Sequence, residues 1–321
     1  MKTVSLARHA MATRFEMVLH GEDEPGLRAA GEEAFDEITA LAAQLNFFGS
    51  DSDVSRINAS AALGPVQVEP GLFRLLQEAK RIHELSGGAF DITVAPLMRC
   101  WGFADGKHRV PSPEELAKVR ECVGMNLVHL DETAFTVQFE RPGVQIDLGA
   151  IGKGFALEAA ANLLREAGVT SALIHGGTSS VCAIGTPPGE AFWKTVIEHP
   201  AWGQPIVDIP EHARLIAVAK LRDESFSVSA GWGRAFKENG ISYGHVLDPR
   251  CGQPTQNALL AAVALPGGTA ADAWSTALLV SGRTGPASLG QAGESARSLL
   301  MLPDGDSGVL LVNDGFESVE S

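Results

Sequence analysis

The segment from residue 144 to residue 177 constrains the fold most. It reads as an extended apolar stretch, a glycine-rich turn from Asp147 to Gly154, an amphipathic helix ending near Ala167, and a strand over residues 171–177. A β-α-β unit of this kind places glycine backbone at the start of a helix. That geometry suits phosphate binding, because helix N-terminal amides attract anions. It also suits close packing of strand against helix, so the pattern alone leaves both interpretations open.

Hydrophobic periodicity elsewhere indicates helices and strands in mixed order. The helices show apolar residues every three or four positions, and the strands show alternation. The predicted helices begin near Pro25, cover residues 70–85 and begin after Ser112, and the predicted strands cover residues 12–20, 215–219 and 225–230, with a hairpin at residues 299–312. Residues 89–103 have no clear period. We therefore expect an α+β fold with at least two sheets, in a single domain over residues 1–321.

Charge and cysteine content exclude several classes of protein. The formal net charge is −14, so the surface repels a phosphate backbone, and we expect no nucleic acid among the partners. The four cysteines form no C-x-x-C pair, which argues against a zinc or iron–sulfur site. An anionic small ligand would need local help from a metal or a helix end.

The first residues lack the apolar core of a signal peptide, and no cysteine near the start fits a lipidation site. No stretch approaches the length of a transmembrane segment. As the sequence stands, we expect a cytoplasmic protein, or an exported one if a leader has been removed.

Residues 267–277 read as the start of a helix that carries oxygen ligands. Asp272 and Thr276 are four positions apart and therefore share one helix face. A carboxylate and a hydroxyl are hard ligands, and the helix start favours anions, so the pair suits a divalent metal that holds a phosphate. The alternative is a capping box from Thr269 to Asp272, which needs no metal.

Seven motifs, in order along the chain, carry a resemblance to a known family. They are M-A-T at 11–13, D-S-D-V-S-R-I-N at 51–58, G-A-F-D-I-T-V-A-P-L at 88–97 with W-G-F at 101–103, D-L-G-A-I-G-K-G at 147–154, W-K-T-V-I-E-H-P at 193–200, H-V-L-D-P-R-C-G at 245–252 and A-D-A-W-S-T at 271–276. Together they resemble the ApbE family of FAD:protein FMN transferases over nearly the whole chain.

The resemblance implies a compact α+β fold of two intimately packed α/β layers with a ligand cleft. It implies an enzyme that binds FAD and Mg²⁺ and attaches FMN, through its phosphate, to a Thr or Ser of a flavin-acceptor protein. AMP is the implied leaving group. Nothing in the sequence identifies the acceptor protein.

The resemblance also implies the metal ligands and a proton acceptor. The ligands are the side chains of Asp272 and Thr276 and the backbone carbonyl of Ala150, with Ser275 standing where some members carry a further Asp. His245 matches the histidine that accepts the proton of the attacking hydroxyl, a task that suits an imidazole. The alternative for His245 is a structural role beside the Asp-Pro turn that follows it.

Eight residues match positions at the flavin or the diphosphate: Met11, Phe48, Ala89, Phe90, Asp91, Asp147, Lys153 and Leu247. For Asp147 and Lys153 the alternative is a surface ion pair. For Met11, Phe48 and Leu247 the alternative is ordinary packing in the core.

Two departures from the family pattern leave other functions open. Thr178 follows Gly176-Gly177 where members usually carry Asn or Asp, and Cys251 replaces a Thr. With water in place of the acceptor hydroxyl, the same site would hydrolyse FAD to FMN and AMP. A non-catalytic flavin-binding protein is the remaining alternative.

Overall fold

The computed structural model describes residues 1–199, 214–231, 235–291, 293, 295–305 and 308–318. Its helices are α1 Glu24–Gln44, α2 Asp53–Ser60, α3 Pro70–Leu85, α4 Ala95–Cys100, α5 Pro113–Arg120, α6 Gly152–Glu166, α7 Gly268–Ser281 and α8 Gly285–Leu289. Its strands are β1 Lys2–Ala10, β2 Thr13–Gly21, β3 Val66–Gln67, β4 Val128–Asp131, β5 Thr136–Phe139, β6 Ala172–Gly176, β7 Ser180–Ile184, β8 Trp193–Glu198, β9 Leu215–Leu221, β10 Ser225–Ala230, β11 Ala235–Glu238, β12 Ile241–Gly244, β13 Leu247–Asp248, β14 Gln253–Pro254, β15 Leu260–Leu265, β16 Arg297–Asp304, β17 Gly308–Asp314 and β18 Glu317–Ser318.

An eight-stranded antiparallel sheet forms the centre, in the order β1-β2-β6-β7-β10-β15-β16-β17. Helices α1 and α6 pack on β1, β2 and β6 through one buried cluster that includes Phe35, Phe15 and Leu157. The small sheet β18-β9-β8 packs through a separate cluster that joins Trp193 to Phe226. The expected α+β architecture is confirmed.

Helix α7 lies in the interior, and eleven of its fourteen residues are buried. It packs against strands β10 and β15 and against helices α3 and α6. A helix that is apolar on nearly all sides needs burial on nearly all sides. The few polar side chains on α7 therefore lie in a protein environment that has to supply their hydrogen bonds.

Local signals set several helix boundaries where the sequence predicts them. Helix α3 begins at Pro70, with Glu69 as its N-cap, and the chain leaves it through Gly87 and Gly88, both at positive φ. Helix α5 begins with a complete capping box from Ser112. The predicted strands at β2, β6, β9 and β10 and the hairpin of β16 with β17 are confirmed, although residues 306–307 lie outside the described residues.

The predicted strand before the glycine turn is wrong. Residues 144–148 belong to no strand. The N–H of Ile146 donates to Asn58 Oδ1 at 2.8 Å, and Asn58 Nδ2 donates to the Ile146 carbonyl at 2.9 Å. The N–H of Asp147 donates to the carbonyl of Ile92 at 2.7 Å. A side chain and a turn thus take the hydrogen bonds that a neighbouring strand would take, so the β-α-β unit is not formed.

The capping-box interpretation of Thr269 is also wrong. Helix α7 begins at Gly268 with Gly267 as its N-cap, so Thr269 already lies inside the helix. Its N–H donates to Glu158 Oε2, on helix α6, at 2.9 Å. A side chain from a neighbouring helix satisfies this N-terminal amide, and no local capping residue is required.

Candidate functional site

Helices α6 and α7 meet through glycine near their first turns. A Cβ placed on Gly154 would lie 2.1 Å from the Gly268 carbonyl oxygen and 2.7 Å from the Cβ of Asp272. A Cβ placed on Gly268 would lie 2.7 Å from the Gly154 carbonyl oxygen. Only glycine permits this approach of one backbone to the other. The contact places the turn before α6 beside the Asp272 carboxylate.

The Asp272 carboxylate is held on both oxygens, and the residue is only 4% exposed. Its Oδ2 accepts the N–H of Gly154 at 3.0 Å. Its Oδ1 accepts the hydroxyls of Ser227 at 2.8 Å and Ser180 at 3.3 Å. The Lys153 Nζ lies 3.9 Å from Oδ1. Three donors and one cation thus compensate for the desolvation of this buried anion.

A backbone carbonyl in the turn before α6 accepts no hydrogen bond from the part of the chain that the structure describes. Gly154 is the third residue of α6, so its N–H has no acceptor within the helix. That N–H donates to Asp272, and no donor among the described residues reaches the carbonyl of Ala150, which precedes the N-cap Ile151. The lone pairs of this carbonyl are therefore available to a ligand.

Hydroxyl groups continue the site along helix α7. Ser275 Oγ lies 2.9 Å from the Asp272 carbonyl oxygen and 2.8 Å from Ser229 Oγ, and Thr276 Oγ1 lies 3.2 Å from Ser229 Oγ. Ser275 is fully buried, whereas Thr276 is half-buried. Asp272 and Thr276 share a face as the sequence predicts.

Sequence reasoning missed the serines that support this site: Ser180, Ser227 and Ser229. Side chains alternate across a strand, so Ser225, Ser227 and Ser229 share one face of β10, and Phe226 packs in the cluster on the opposite face. Ser227 pairs in register with Ser180 on β7. A Ser-x-Ser-x-Ser repeat within a predicted buried strand was the available signal, because a buried polar row requires partners.

The segment from Ala89 to Asp91 follows helix α3 and is buried. Asp91 accepts the N–H and the hydroxyl of Thr93 at 2.7 and 2.5 Å, and its second oxygen lies 3.1 Å from His83 Nδ1. Burial opposes protonation of His83, but the hydrogen bond and charge of Asp91 outweigh it and raise the pKa of His83. Asp91 therefore anchors the turn, and its flavin contact stays a prediction.

Backbone and side-chain contacts join this segment to other motifs. The bond from Asp147 to Ile92 connects it to the glycine turn. Trp101 Nε1 donates to the Gly252 carbonyl at 2.9 Å, which connects the W-G-F motif to the H-V-L-D-P-R-C-G motif. Phe90 itself packs in the large core cluster and is only 1% exposed. Motifs far apart in sequence thus form one continuous region.

His245 lies between strands β12 and β13 and is half-buried. Asp248, three residues later, accepts two hydrogen bonds from the guanidinium of Arg250, both at 2.8 Å, and one from its N–H at 2.9 Å. These bonds hold the turn that follows His245. Leu247 is buried against Leu97 and Trp101, an arrangement that matches the packing alternative for this residue.

Met11 and Phe48 occupy different environments. Met11 lies in the two-residue turn between β1 and β2, where both it and Ala12 have positive φ, 48° and 58°. Its side chain packs against two of the core clusters. Phe48 is 71% exposed and makes an edge contact with Phe47 at 5.1 Å between ring centroids. An exposed aromatic ring of this kind is available for stacking.

Two of the cavities that the described residues form lie away from the Asp272 carboxylate. The larger, of about 1060 Å³, runs between α1, α3, α6 and the start of α7 and carries six carboxylates with Arg74 as its cation: Glu37, Asp51, Asp53, Glu69, Glu78 and Glu158. A groove of that charge repels a diphosphate. The smaller, of about 590 Å³, is lined by strand residues that include Lys220 and Arg297. Neither lining contains Asp272, Thr276 or His245.

The donor set around Asp272 fits a hard divalent cation of the Mg²⁺ type. The described residues contain no group of three or more His, Cys, Asp or Glu side chains that could hold a metal ion. One carboxylate, one unpartnered carbonyl and one half-buried hydroxyl are oxygen ligands without a soft donor, and Mg²⁺ keeps part of its coordination for water and substrate phosphate. Among the described helices, none is long and apolar enough to cross a membrane.

Comparisons with known proteins find relatives along most of this chain. The model of the ApbE family matches residues 11–296. A protein of Haemophilus influenzae named FAD:protein FMN transferase is 29% identical over 88% of this chain and 81% of its own length. A Treponema pallidum protein of the same name is 30% identical over 87% of this chain and 78% of its own. The crystal structure of the ApbE protein from Thermotoga maritima superposes with a TM-score of 0.85, at 26% identity, over 98% of this chain and 97% of that one.

Proposed function

Because the chain belongs to the ApbE family, we propose that it transfers FMN from FAD to a Thr or Ser hydroxyl of an acceptor protein. The hydroxyl oxygen forms a bond to the phosphorus of the FMN half, and the bond from that phosphorus to the bridging oxygen breaks. AMP departs with the bridging oxygen, and the acceptor carries FMN through a phosphoester. The names of the curated relatives support this reaction, and the arrangement at Asp272 supports its location.

The observation that carries the proposal is the hydrogen bond from the Gly154 N–H to Asp272. It brings the carboxylate to the glycine turn, where the Ala150 carbonyl accepts no hydrogen bond from the described residues. Ala150, Asp272 and Thr276 would then hold Mg²⁺ on one side of the diphosphate. When bound, Mg²⁺ neutralises charge on the phosphates and polarises the phosphorus under attack.

Lys153 supplies a further positive charge at this point. Its Nζ lies 3.9 Å from Asp272 Oδ1, and its side chain keeps 26% of its surface exposed. A lysine in that position can contact a phosphate oxygen as a point charge while remaining close to the carboxylate. Because the whole protein carries a net charge of −14, local cations and amides have to attract the anionic substrate.

His245 is assigned as the group that takes the proton from the attacking hydroxyl. An imidazole can accept a proton near neutral pH, as a general base must. His245 lies three residues before Asp248, whose turn is held by the Arg250 guanidinium. A histidine that served only the turn would tolerate replacement by Gln without loss of transfer.

The test is incubation of the protein with FAD, Mg²⁺ and a candidate acceptor protein, followed by mass spectrometry of the acceptor and chromatography of the nucleotides. We expect the acceptor to gain FMN and AMP to appear in equal amount, with loss of both in Asp272→Ala. Asp36→Ala, at an exposed carboxylate paired with Arg8, serves as the control that retains activity. Rapid release of FMN and AMP without an acceptor would show that the protein hydrolyses FAD instead of transferring FMN. FAD that stays bound and intact would show that the protein only binds the flavin.

A further inference from the structure

The hydroxyls beside Asp272 form a chain whose proton directions follow from its fixed ends. A hydroxyl has one proton to donate and two lone pairs to accept with. An ionised carboxylate and a carbonyl oxygen only accept. The order of donors along the chain can therefore be worked out from the atoms that cannot donate.

Ser275 is the fixed end. Its Oγ lies 2.9 Å from the Asp272 carbonyl oxygen and 3.4 Å from Ser227 Oγ, so its proton goes to the shorter bond, the carbonyl. Ser227 has its own proton on Asp272 Oδ1, at 2.8 Å. The 2.8 Å contact between Ser229 and Ser275 then has Ser229 as the donor.

The donor in the contact between Ser229 and Thr276 follows from the previous step. Since the Ser229 proton is committed to Ser275, the 3.2 Å contact between Ser229 and Thr276 has Thr276 as the donor. The Thr276 proton therefore points toward Ser229, and its lone pairs point away from the chain. Thr276 is half-buried, whereas Ser275 is fully buried, so the chain runs from the interior to the accessible end of the site.

We propose that Ser229 and Ser275 are positioning residues, which order the hydroxyl protons so that Thr276 presents a lone pair to the divalent cation. The proposal rests on the proposed function, because it takes Thr276 as a ligand. It assigns to Ser275 a supporting role in place of direct ligation. A hydroxyl that binds a cation has to direct its own proton elsewhere, and this chain provides the acceptor.

Removal of Ser229 and removal of Ser275 disturb the order of proton donors in different ways. In Ser229→Ala the Thr276 proton loses the acceptor that holds it away from the cation. In Ser275→Ala the Ser229 proton loses its acceptor and turns to Thr276, which reverses that bond. Groups that orient metal ligands typically change metal affinity by about 10-fold to 100-fold when they are removed.

The experiment is a titration of the full-length protein with Mn²⁺ alone, in which electron paramagnetic resonance reports the free ion. The variants are Ser229→Ala, Ser275→Ala and the rescue variant Ser229→Thr, which keeps a hydroxyl. Ser171→Ala is the matched control, because its buried Oγ donates to the Thr186 carbonyl at 2.7 Å outside the site. Thermal unfolding without metal identifies any variant that fails to fold.

We expect Mn²⁺ affinity to fall about 10-fold to 100-fold in both alanine variants of the chain, and to stay near the wild-type value in Ser229→Thr and Ser171→Ala. Wild-type affinity in Ser229→Ala and Ser275→Ala would overturn this inference and leave the proposed function standing. A loss in Ser229→Ala with none in Ser275→Ala would overturn the proton order. Absence of Mn²⁺ binding by the wild-type protein would overturn the metal site itself. If Ser275→Ala does not fold, the contrast between Ser229→Ala and Ser229→Thr decides the outcome.

Discussion

The crossing of α6 and α7 makes Gly154 the position where a single methyl group should do most damage. In Gly154→Ala the new Cβ would lie 2.1 Å from the Gly268 carbonyl oxygen and 2.7 Å from the Cβ of Asp272. One of these atoms belongs to the backbone, so rotation of a side chain does not relieve the overlap. The two helices have to separate, and the hydrogen bond from Gly154 to Asp272 lengthens or breaks.

The change in the free energy of unfolding in Gly154→Ala has three contributions. Overpacking in a close contact costs about 1 to 3 kcal/mol, and loss of a hydrogen bond to a charged group costs about 1.5 to 3 kcal/mol. Alanine recovers about 1 kcal/mol through its better helix propensity. The expected net decrease in the free energy of unfolding is therefore roughly 1.5 to 5 kcal/mol.

Urea denaturation at equilibrium measures this decrease, and the same helix provides the control. A Cβ on Gly152 would meet only Leu45 Cδ1, at 3.5 Å, which is ordinary contact. Gly152→Ala should therefore leave stability unchanged or raise it by up to about 1 kcal/mol. If Gly154→Ala is as stable as the wild-type protein, or if both substitutions destabilise equally, the described contact between the helices is incorrect.

Three further predictions concern regions outside the crossing. Ala12 has a left-handed backbone at φ 58°, which costs a non-glycine residue roughly 1 to 2 kcal/mol. Ala12→Gly removes this cost but loses more chain entropy on folding, so the free energy of unfolding should rise by about 0.5 to 1 kcal/mol in urea denaturation. Unchanged stability would refute the strain. Asp91 raises the pKa of His83 above its ordinary value of 6.5, so the stabilisation from this pair is complete below about pH 6.5 and is lost as the pH rises through the folded-state pKa. The free energy of unfolding, measured from pH 6 to pH 9, should therefore fall more in the wild-type protein than in His83→Gln. Parallel curves for the two proteins would contradict the pairing. Exposed Cys251 should react first with a maleimide and buried Cys182, whose pKa burial raises, should react last; a fast phase that persists in Cys251→Ser would show the reverse.

Features of the fold that rest on neighbouring residues could be predicted from the sequence. Helix α3 has its proline at the start and its glycines just beyond the end, and helix α5 has a capping box at Ser112. These signals act within one turn of helix, so their physical causes are local. The α+β class follows from the same local patterns taken together.

Features of the fold that depend on residues distant in sequence could not be predicted from the sequence. Residues 144–148 have the composition of a strand, but Asn58 and the Ile92 carbonyl take their hydrogen bonds. Thr269 has the spacing of a cap, but Glu158 of another helix satisfies its N–H. In both cases a tertiary partner replaced the local one, and the segment itself carries no trace of that partner.

The residues of the candidate site also divide into those that the sequence could predict and those that required the structure. Spacing on a helix placed Asp272 and Thr276 on one face, and the resemblance between motifs added Ala150 and Lys153. The serines of β10 form a repeat in the sequence, but their role depends on which face of the strand helix α7 covers. The direction of each hydroxyl proton depends further on the single carbonyl that Ser275 contacts.

We propose that the Ala150 carbonyl, the Asp272 carboxylate and the Thr276 hydroxyl bind a divalent cation on the diphosphate of FAD. Crystals grown with FAD and Mn²⁺ test it directly, since the anomalous signal of manganese locates the ion without reference to the protein atoms. We predict one strong peak in contact with those three oxygens and with phosphate oxygens of the nucleotide. A peak among the carboxylates of the groove between α1 and α3, with none at Asp272, would contradict the account.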